Sequence, residues 1–186
     1  MATWFTADLH LGHANIIQFC QRPFADLSEM HDRLVQEWTN RVGQGDDVYF
    51  LGDLIAGKVD DDGKRAVRKT FMSLPGRKHL VWGNHDKPWI KNELPWASTQ
   101  ESLDKTVDGQ RFYMHHYPMI TFPGSRHGAI QLFGHVHNNW KGTRNSVNVG
   151  CDVWDFRPVS AAEIVERARD LPVNPVWDEL EPGCAL

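Results

Sequence analysis

The chain has 186 residues, 41% hydrophobic and 24% charged, with a formal net charge of −4. That length fits one domain with a real core, and the composition is that of a globular protein rather than a disordered one. No apolar run approaches the roughly 20 residues of a membrane helix, the start "MATWFTADLH" does not read as a signal peptide, and the acidic balance argues against holding long polyanions by bulk charge. Cys20, Cys151 and Cys184 are few, scattered and odd in number, so no disulfide framework is expected and the reducing cytoplasm is the expected compartment.

In chain order, a short apolar run at 3–7 reads as a strand. A helix follows over 28–42, with Met30, Leu34, Val35 and Trp38 on one face and Asp26 with Glu29 as a capping box before it. A strand at 48–51 precedes a helix from about 63 to 73 that stops at Pro75-Gly76. The basic cluster Lys64-Arg65 and Arg68-Lys69 is expected on that helix's solvated face. Strands follow at 79–82, 112–114, 130–133 and 146–149, with a weaker candidate at 102–107. A last helix spans 159–171, with Ser160 as its cap. This alternation predicts a layered α/β domain over 1–171, with a tail, 172–186, that packs on it or extends from it. Most of the eight Trp are expected in the core.

Five of these strands end in metal-ligand chemistry. Strand 3–7 runs into Asp8-Leu9-His10, strand 48–51 into Gly52-Asp53, and strand 79–82 into Gly83-Asn84-His85-Asp86. Strand 112–114 ends in His115-His116 and strand 130–133 in Gly134-His135-Val136-His137. Three of the five place a Gly first, where a sharp turn or close approach is needed, and ligands of α/β sheets gather at carboxyl strand ends. Any one such ending is a common turn. The ordered set of five is not a coincidence of turns.

Asp8, His10, Asp53, Asn84, His116, His135 and His137 offer two carboxylates, an amide oxygen and four imidazoles. In extended chain, residues i and i+2 share a side, so Asp8 with His10 and His135 with His137 are each expected to chelate as a pair. A nitrogen and oxygen set without thiolate suits Mn²⁺ ahead of Fe, Zn²⁺ or Ni²⁺. Seven ligands exceed one tetrahedral ion and suit two ions ~3.5–4 Å apart sharing a carboxylate, which deprotonate a bridging water into a nucleophile. Two divalent ions against two aspartates leave a local excess of about +2 that attracts phosphate despite the acidic chain. His85 is expected to protonate the departing oxygen, with Asp86 orienting its ring. Imidazole ligands must be neutral, so metal is expected to leave as pH falls through about 6.

The remaining candidates have plainer readings. His31, His79 and His127 are read as packing or surface residues. His13 either reaches substrate or steadies its loop. The doublet His115-His116 leaves the ligand open, with His116 favoured because Tyr117-Pro118 turns the chain next. Arg22 either holds a phosphate oxygen or, preferably, forms an ion pair, and Asp152 and Trp154 shape a pocket wall.

The motifs D-x-H, GD, GNH[DE], a single H and GHxH, met here by Asp8-Leu9-His10, Gly52-Asp53, Gly83-Asn84-His85-Asp86, His116 and Gly134-His135-Val136-His137, resemble those of the calcineurin-like metallophosphoesterase superfamily along most of the chain. The resemblance implies a four-layer α-β-β-α sandwich of two mixed β-sheets flanked by helices, with a dinuclear centre at the strand ends. It implies one metal held by Asp8, His10 and His137, another by Asn84, His116 and His135, Asp53 bridging them, and His85 as the non-ligand catalytic histidine. The stretches "LHLGHANII", "HHYPMI" and "VNVGCDVWDFRPVS" look like those of small bacterial and phage phosphoesterases. The protein Ser/Thr phosphatase branch carries GDxVDRG and GNHE, whereas this chain reads "GDLIAGK" and "GNHD".

The expected activity is metal-dependent phosphoester hydrolysis, a phosphodiesterase first, acting on a small phosphoester and away from membranes. The rivals are a phosphomonoesterase, a nuclease on nucleic acid, and a scaffold that reuses the fold, as a retromer subunit does. An intact His85 argues against the scaffold, and the lack of an aromatic-basic stripe against the nuclease. The sequence is silent on oligomeric state.

Overall fold

A computed structural model describes residues 1–184. The run Val48-Tyr49-Phe50-Leu51 divides its side chains between two cores, Val48 and Phe50 in one, Tyr49 and Leu51 in the other. That alternation is what an extended chain buried on both faces must show. It lies in a first sheet made of β1 (Thr3–Thr6), β2 (Asp47–Phe50), β3 (Arg77–Val81) and β4 (Ser98–Gln100), which are parallel, with the late strand β10 (Val159–Ser160) antiparallel on the β1 edge. The second sheet holds β5 (Ser102–Val107), β6 (Gln110–His115), β7 (Ile130–Phe133), β8 (Gly142–Thr143) and β9 (Ser146–Asn148) in the order β5-β6-β7-β9-β8. There β6, β7 and β9 run parallel, and β5 and β8 are antiparallel edges.

The outer core lies between the first sheet and the helices that connect its parallel strands, α1 (Asn15–Phe19), α2 (Leu27–Arg41), α3 (Asp61–Ser73) and α4 (Pro88–Glu93). On α2 the buried stripe is Met30, Leu34 and Trp38, with Val35 partly buried beside it. Arg65, Arg68 and Lys69 face solvent on α3. The inner core lies between the sheets, where Phe5, Tyr49, Leu51 and Val81 meet Phe112, Met114, Leu132 and Val147. Helix α5 (Ala161–Asp170) adds Ile164 and Ala168 to it. On the opposite face of the second sheet, Tyr113 stacks on Phe122 and Phe133 on Trp140, so the loops after β6 and β7 cover that side. Beyond residue 171 the chain forms α6 (Trp177–Leu180), with Trp177 buried and Arg144 donating its backbone N–H to the Pro172 carbonyl. Two mixed sheets with flanking helices are the expected sandwich. Among the described residues no helix is long and apolar enough to cross a membrane.

The caps follow their side chains. Asp26 accepts from the Glu29 N–H, but Glu29 reaches back to the N–H of Ala25 rather than of Asp26. Ser160 forms the full reciprocal box with Glu163, whose carboxylate also binds Arg41 of α2. Replacing Ser160 by Ala is expected to lower stability by about 1 kcal/mol, with Ser160→Asp keeping most of it. Urea denaturation of the two variants measures this.

Candidate metal centre

The ladders of the first sheet continue past the strands, with Asp8 N donating to Gly52 O at 3.0 Å, His10 N to Asp53 O at 3.1 Å and Leu11 N to Leu54 O at 2.8 Å. In the second sheet, Gly134 N likewise donates to His116 O at 3.0 Å beyond β7 and β6, and between the sheets the His135 N–H donates to the Asp8 carboxylate. Asp86, which accepts from both the Asp53 and Gly83 N–H groups, adds the end of β3, so that all five strand ends meet. At the junction Asp8 (φ 60°), His10 (52°), Asp53 (60°), His135 (67°) and His137 (52°) all adopt the left-handed region, which non-glycine residues rarely occupy. Such strain persists only where surrounding structure over-determines it. Two glycines let the carboxylates close in: a Cβ on Gly83 would stand 2.3 Å from Asp53 Oδ1, and one on Gly134 2.6 Å from Asp8 Oδ2.

The side chains divide into two groups. In the first, ligand atoms of Asp8, His10 and His137 lie within 4.8 Å of one another. Asp8 is buried and accepts the His135 N–H. Burial pushes its carboxyl up to about 7, although His116 and His137 pull the other way. His10 is buried too, which lowers its value to about 3, helped by His137. Its Nδ1 pairs with His13 Nδ1 at 3.2 Å, and its Nε2 lies 3.7 Å from Asp53 Oδ2 with no hydrogen-bond partner among the described residues. His137 pairs through Nδ1 with Asp152 Oδ2 at 2.8 Å. Burial opposes its charge, but the hydrogen bonds to Asp152 and Cys20 and the charge of Asp8 prevail and carry it up to about 10.

In the second group, ligand atoms of Asp53, His116 and His135 lie within 4.8 Å of one another. Asn84 Oδ1 is 3.0 Å from both His116 Nε2 and His135 Nδ1. His116 Nδ1 faces the Leu51 carbonyl at 2.7 Å. A carbonyl only accepts, so Nδ1 carries a hydrogen and Nε2 is the atom offered to the site. Asp53 joins the groups: its Oδ2 lies 3.4 Å from His116 Nε2, 3.7 Å from His10 Nε2 and 4.0 Å from His85 Nε2. Burial opposes the charge on His116, yet Asp53 and Asp8 raise its affinity for a proton. A buried nitrogen without a partner and carboxylate, amide and imidazole atoms aimed at common points fit a borderline divalent cation.

The structure thus brings all seven expected ligands together and turns His116 inward, while His115 Nδ1 caps the Tyr117 backbone. Two expectations are corrected. His135 and His137 do not chelate as a pair but serve different groups; Asp8, His10, His135 and His137 all have left-handed φ, so the extended-chain rule decides neither pair, and a 3₁₀ turn beginning at His137 carries its ring to the Asp8 and His10 side. Asp86 does not orient His85: its carboxylate accepts the backbone N–H groups of Asp53, Leu54 and Gly83 at 2.9, 3.1 and 2.8 Å, which clamps the two loops together. His85 sits on the rim, 41% exposed in its side chain, with its backbone N–H on Asp53 Oδ1 at 2.9 Å. His31 accepts the Gly12 N–H, His79 bridges Ser98 and Asp47, and His127 is exposed. The sequence reading missed Asp152 as the partner of His137. The signal was there: Val149-Gly150-Cys151-Asp152 repeats the pattern of a strand followed by Gly and a carboxylate.

Asp86→Ala leaves three buried N–H groups unpaired and is expected to destabilise metal-free protein by on the order of 3 kcal/mol. A loss of turnover without that loss in urea denaturation would restore the orienting role. Protons compete with metal at the raised groups. Asp8 and His137 hold theirs below their shifted values and release them as pH rises, whereas His10 is already neutral. Affinity for Mn²⁺ is therefore expected to climb from about pH 6 to pH 9, by roughly tenfold per pH unit for each proton displaced. Calorimetric titrations across that range check it, and a flat profile contradicts it.

Residues 1–141 match the family model of the calcineurin-like phosphoesterases. The chain is 34% identical over 170 residues to an uncharacterised protein of Methanocaldococcus jannaschii, spanning 88% of this chain and 89% of that one. It is 31% identical over 196 residues to the gene 66 protein of Mycobacterium phage L5, spanning 88% and 92%. In three dimensions it is similar to a protein of unknown function from Aquifex aeolicus, with a TM-score of 0.70 and 24% identity over 89% of this chain and 98% of the other. With the matched region containing every candidate ligand from Asp8 to His137, the chain belongs to the calcineurin-like phosphoesterase family of metal-dependent hydrolases of phosphoester bonds.

Proposed function

We propose that the centre takes two divalent ions, Mn²⁺ foremost, and hydrolyses phosphodiesters of small molecules. Asp8, His10 and His137 would hold one ion and Asn84, His116 and His135 the other, with Asp53 between them. The observation that carries this reading is the position of Asp53 Oδ2, within 4.0 Å of three imidazole Nε2 atoms from three loops. When bound, the ions polarise the phosphoryl oxygens and acidify the attacking water.

The chain's own residues supply the rest. Asp53 takes the His85 N–H on Oδ1, which fixes the turn carrying the catalytic candidate while leaving Oδ2 for the centre. The His85 ring stands edge-on to His10 at 5.5 Å between ring centres and is open to solvent. From there its proton can reach the departing oxygen at the mouth of the site. Burial of Asp8, Asp53 and His116 keeps water from screening the charges inside. A net charge of −4 supports a small diester over a long nucleic acid. The unpaired Cys20, Cys151 and Cys184 support a reducing compartment, the cytoplasm.

Purified protein with Mn²⁺ is expected to hydrolyse bis-p-nitrophenyl phosphate. His85→Ala is expected to bind metal as before while turnover falls about 10²- to 10⁴-fold. Equal activity in the two proteins would remove His85 from the mechanism.

A further inference from the structure

Arg22 is the most thoroughly engaged side chain near the centre, and none of the established roles uses it. Its guanidinium has five N–H donors, and five acceptors meet them. Nε donates to Asp152 Oδ1 at 2.8 Å. One terminal nitrogen donates to the Leu9 carbonyl at 3.0 Å and to Met30 Sδ at 3.3 Å. The other donates to the Asp8 carbonyl at 2.8 Å and to Asp152 Oδ2 at 3.0 Å, with Cys151 Sγ at 3.5 Å as a further neighbour. The Arg22 and Asp152 side chains are 0% and 2% exposed. No donor is left for a substrate phosphate.

These acceptors are not a random set. The Asp8 and Leu9 carbonyls belong to the strained segment in which Asp8 and His10 adopt left-handed φ. Asp152, held at both oxygens, presents Oδ2 to His137 Nδ1 at 2.8 Å. One guanidinium therefore sets the backbone that carries two members of the Asp8, His10 and His137 group and, through Asp152, the ring of the third. The other group has fixings of its own, although the halves touch where the Asp8 carboxylate accepts the His135 N–H and the Asp53 carbonyl accepts the His10 N–H. His116 is fixed by the Leu51 carbonyl, and the Asp53 and Gly83 loops by Asp86. A buried ion pair contributes little net stability compared with an apolar replacement, which leaves positioning as what this one achieves.

We infer that Arg22 is a positioning residue for the Asp8, His10 and His137 half of the centre, so that this ion position has a support the other lacks. The inference rests on the dinuclear reading above and adds that one position can be weakened without the other. Lysine offers three donors from a single nitrogen and cannot reproduce the fork. Asp152→Asn keeps the shape and removes the charge facing both Arg22 and His137.

The test is Mn²⁺ binding to the full chain, by calorimetry and by electron paramagnetic resonance. Wild type is expected to bind two ions per chain with a spin-coupled spectrum. Arg22→Lys and Asp152→Asn are expected to weaken one binding step by at least about tenfold, the scale for partners of metal ligands, and to leave the other unchanged. Under conditions that load two ions in wild type, each variant then shows the spectrum of isolated Mn²⁺. Arg41→Ala, which removes the ion pair to Glu163, serves as the control and is expected to keep both steps. Equal weakening of both steps, or loss of both ions together with folded structure, makes Arg22 a general structural pair and overturns the inference. So does binding unchanged from wild type. A wild type that binds no ion overturns the dinuclear reading itself, and shows this before any variant is made.

Discussion

Seven electron-rich side chains are forced toward common points at one end of the sandwich, and without positive charge among them they repel. Asn84 Oδ1 lies 3.0 Å from two imidazole nitrogens, and Asp53 Oδ2 is near three. No apolar core gathers such atoms spontaneously, because each would gain more from water. The backbone does the gathering. Ladder bonds that outlast the strands hold the ends of β1 and β2 side by side, Asp86 ties the Asp53 and Gly83 loops, and the missing Cβ atoms of Gly83 and Gly134 leave room for carboxylates.

The same repulsion makes protons the natural substitute for metal. His137 and His116 both gain proton affinity from nearby carboxylates, and Asp8 gains it from burial. His10 goes the other way, because its burial is offset only in part by Asp53. The result is an uneven site, with His10 and His135 kept neutral beside His116 and His137, which favour the charged form. A neutral His10 with its Nε2 unpaired is ready for a cation at any ordinary pH, whereas its group partners Asp8 and His137 must first release protons.

The sequence disclosed the strands that carry chemistry because their ends break a physical rule: buried apolar runs passing directly into Asp, Asn and His. It disclosed α2, α3 and α5 through periodicity and caps. The edge strands β4, β8 and β10 stayed hidden, since runs of two or three residues such as Gly142-Thr143 have no period to read. Asp86 was assigned the wrong task because its spacing from His85 says nothing about the backbone amides brought to it from residues 53 and 54. The i, i+2 argument presumes extended chain, and with positive φ at Asp8, His10, His135 and His137 it could decide neither pair: Asp8 and His10 share a group, His135 and His137 do not. The ion pair preferred for Arg22 does form, but its partner was illegible: Asp152 lies 130 residues away, and only the folded chain joins them.

Each half of the centre draws on both sheets. Asp8 and His10 follow β1 and meet His137, which follows β7. Asp53 and Asn84 follow β2 and β3 and meet His116 and His135, which follow β6 and β7. An ion in either position thus links the two sheets at the end where the inner core, from Phe5 and Tyr49 to Phe112 and Leu132, gives way to polar loops. Ions that bind only the folded chain stabilise it by mass action, so the metals would clamp the sandwich as well as serve its chemistry. The strained turns follow from this arrangement. To face a partner on the opposite sheet, a ligand must leave its strand's direction within one or two residues, and a left-handed φ at the ligand itself is a short way to turn.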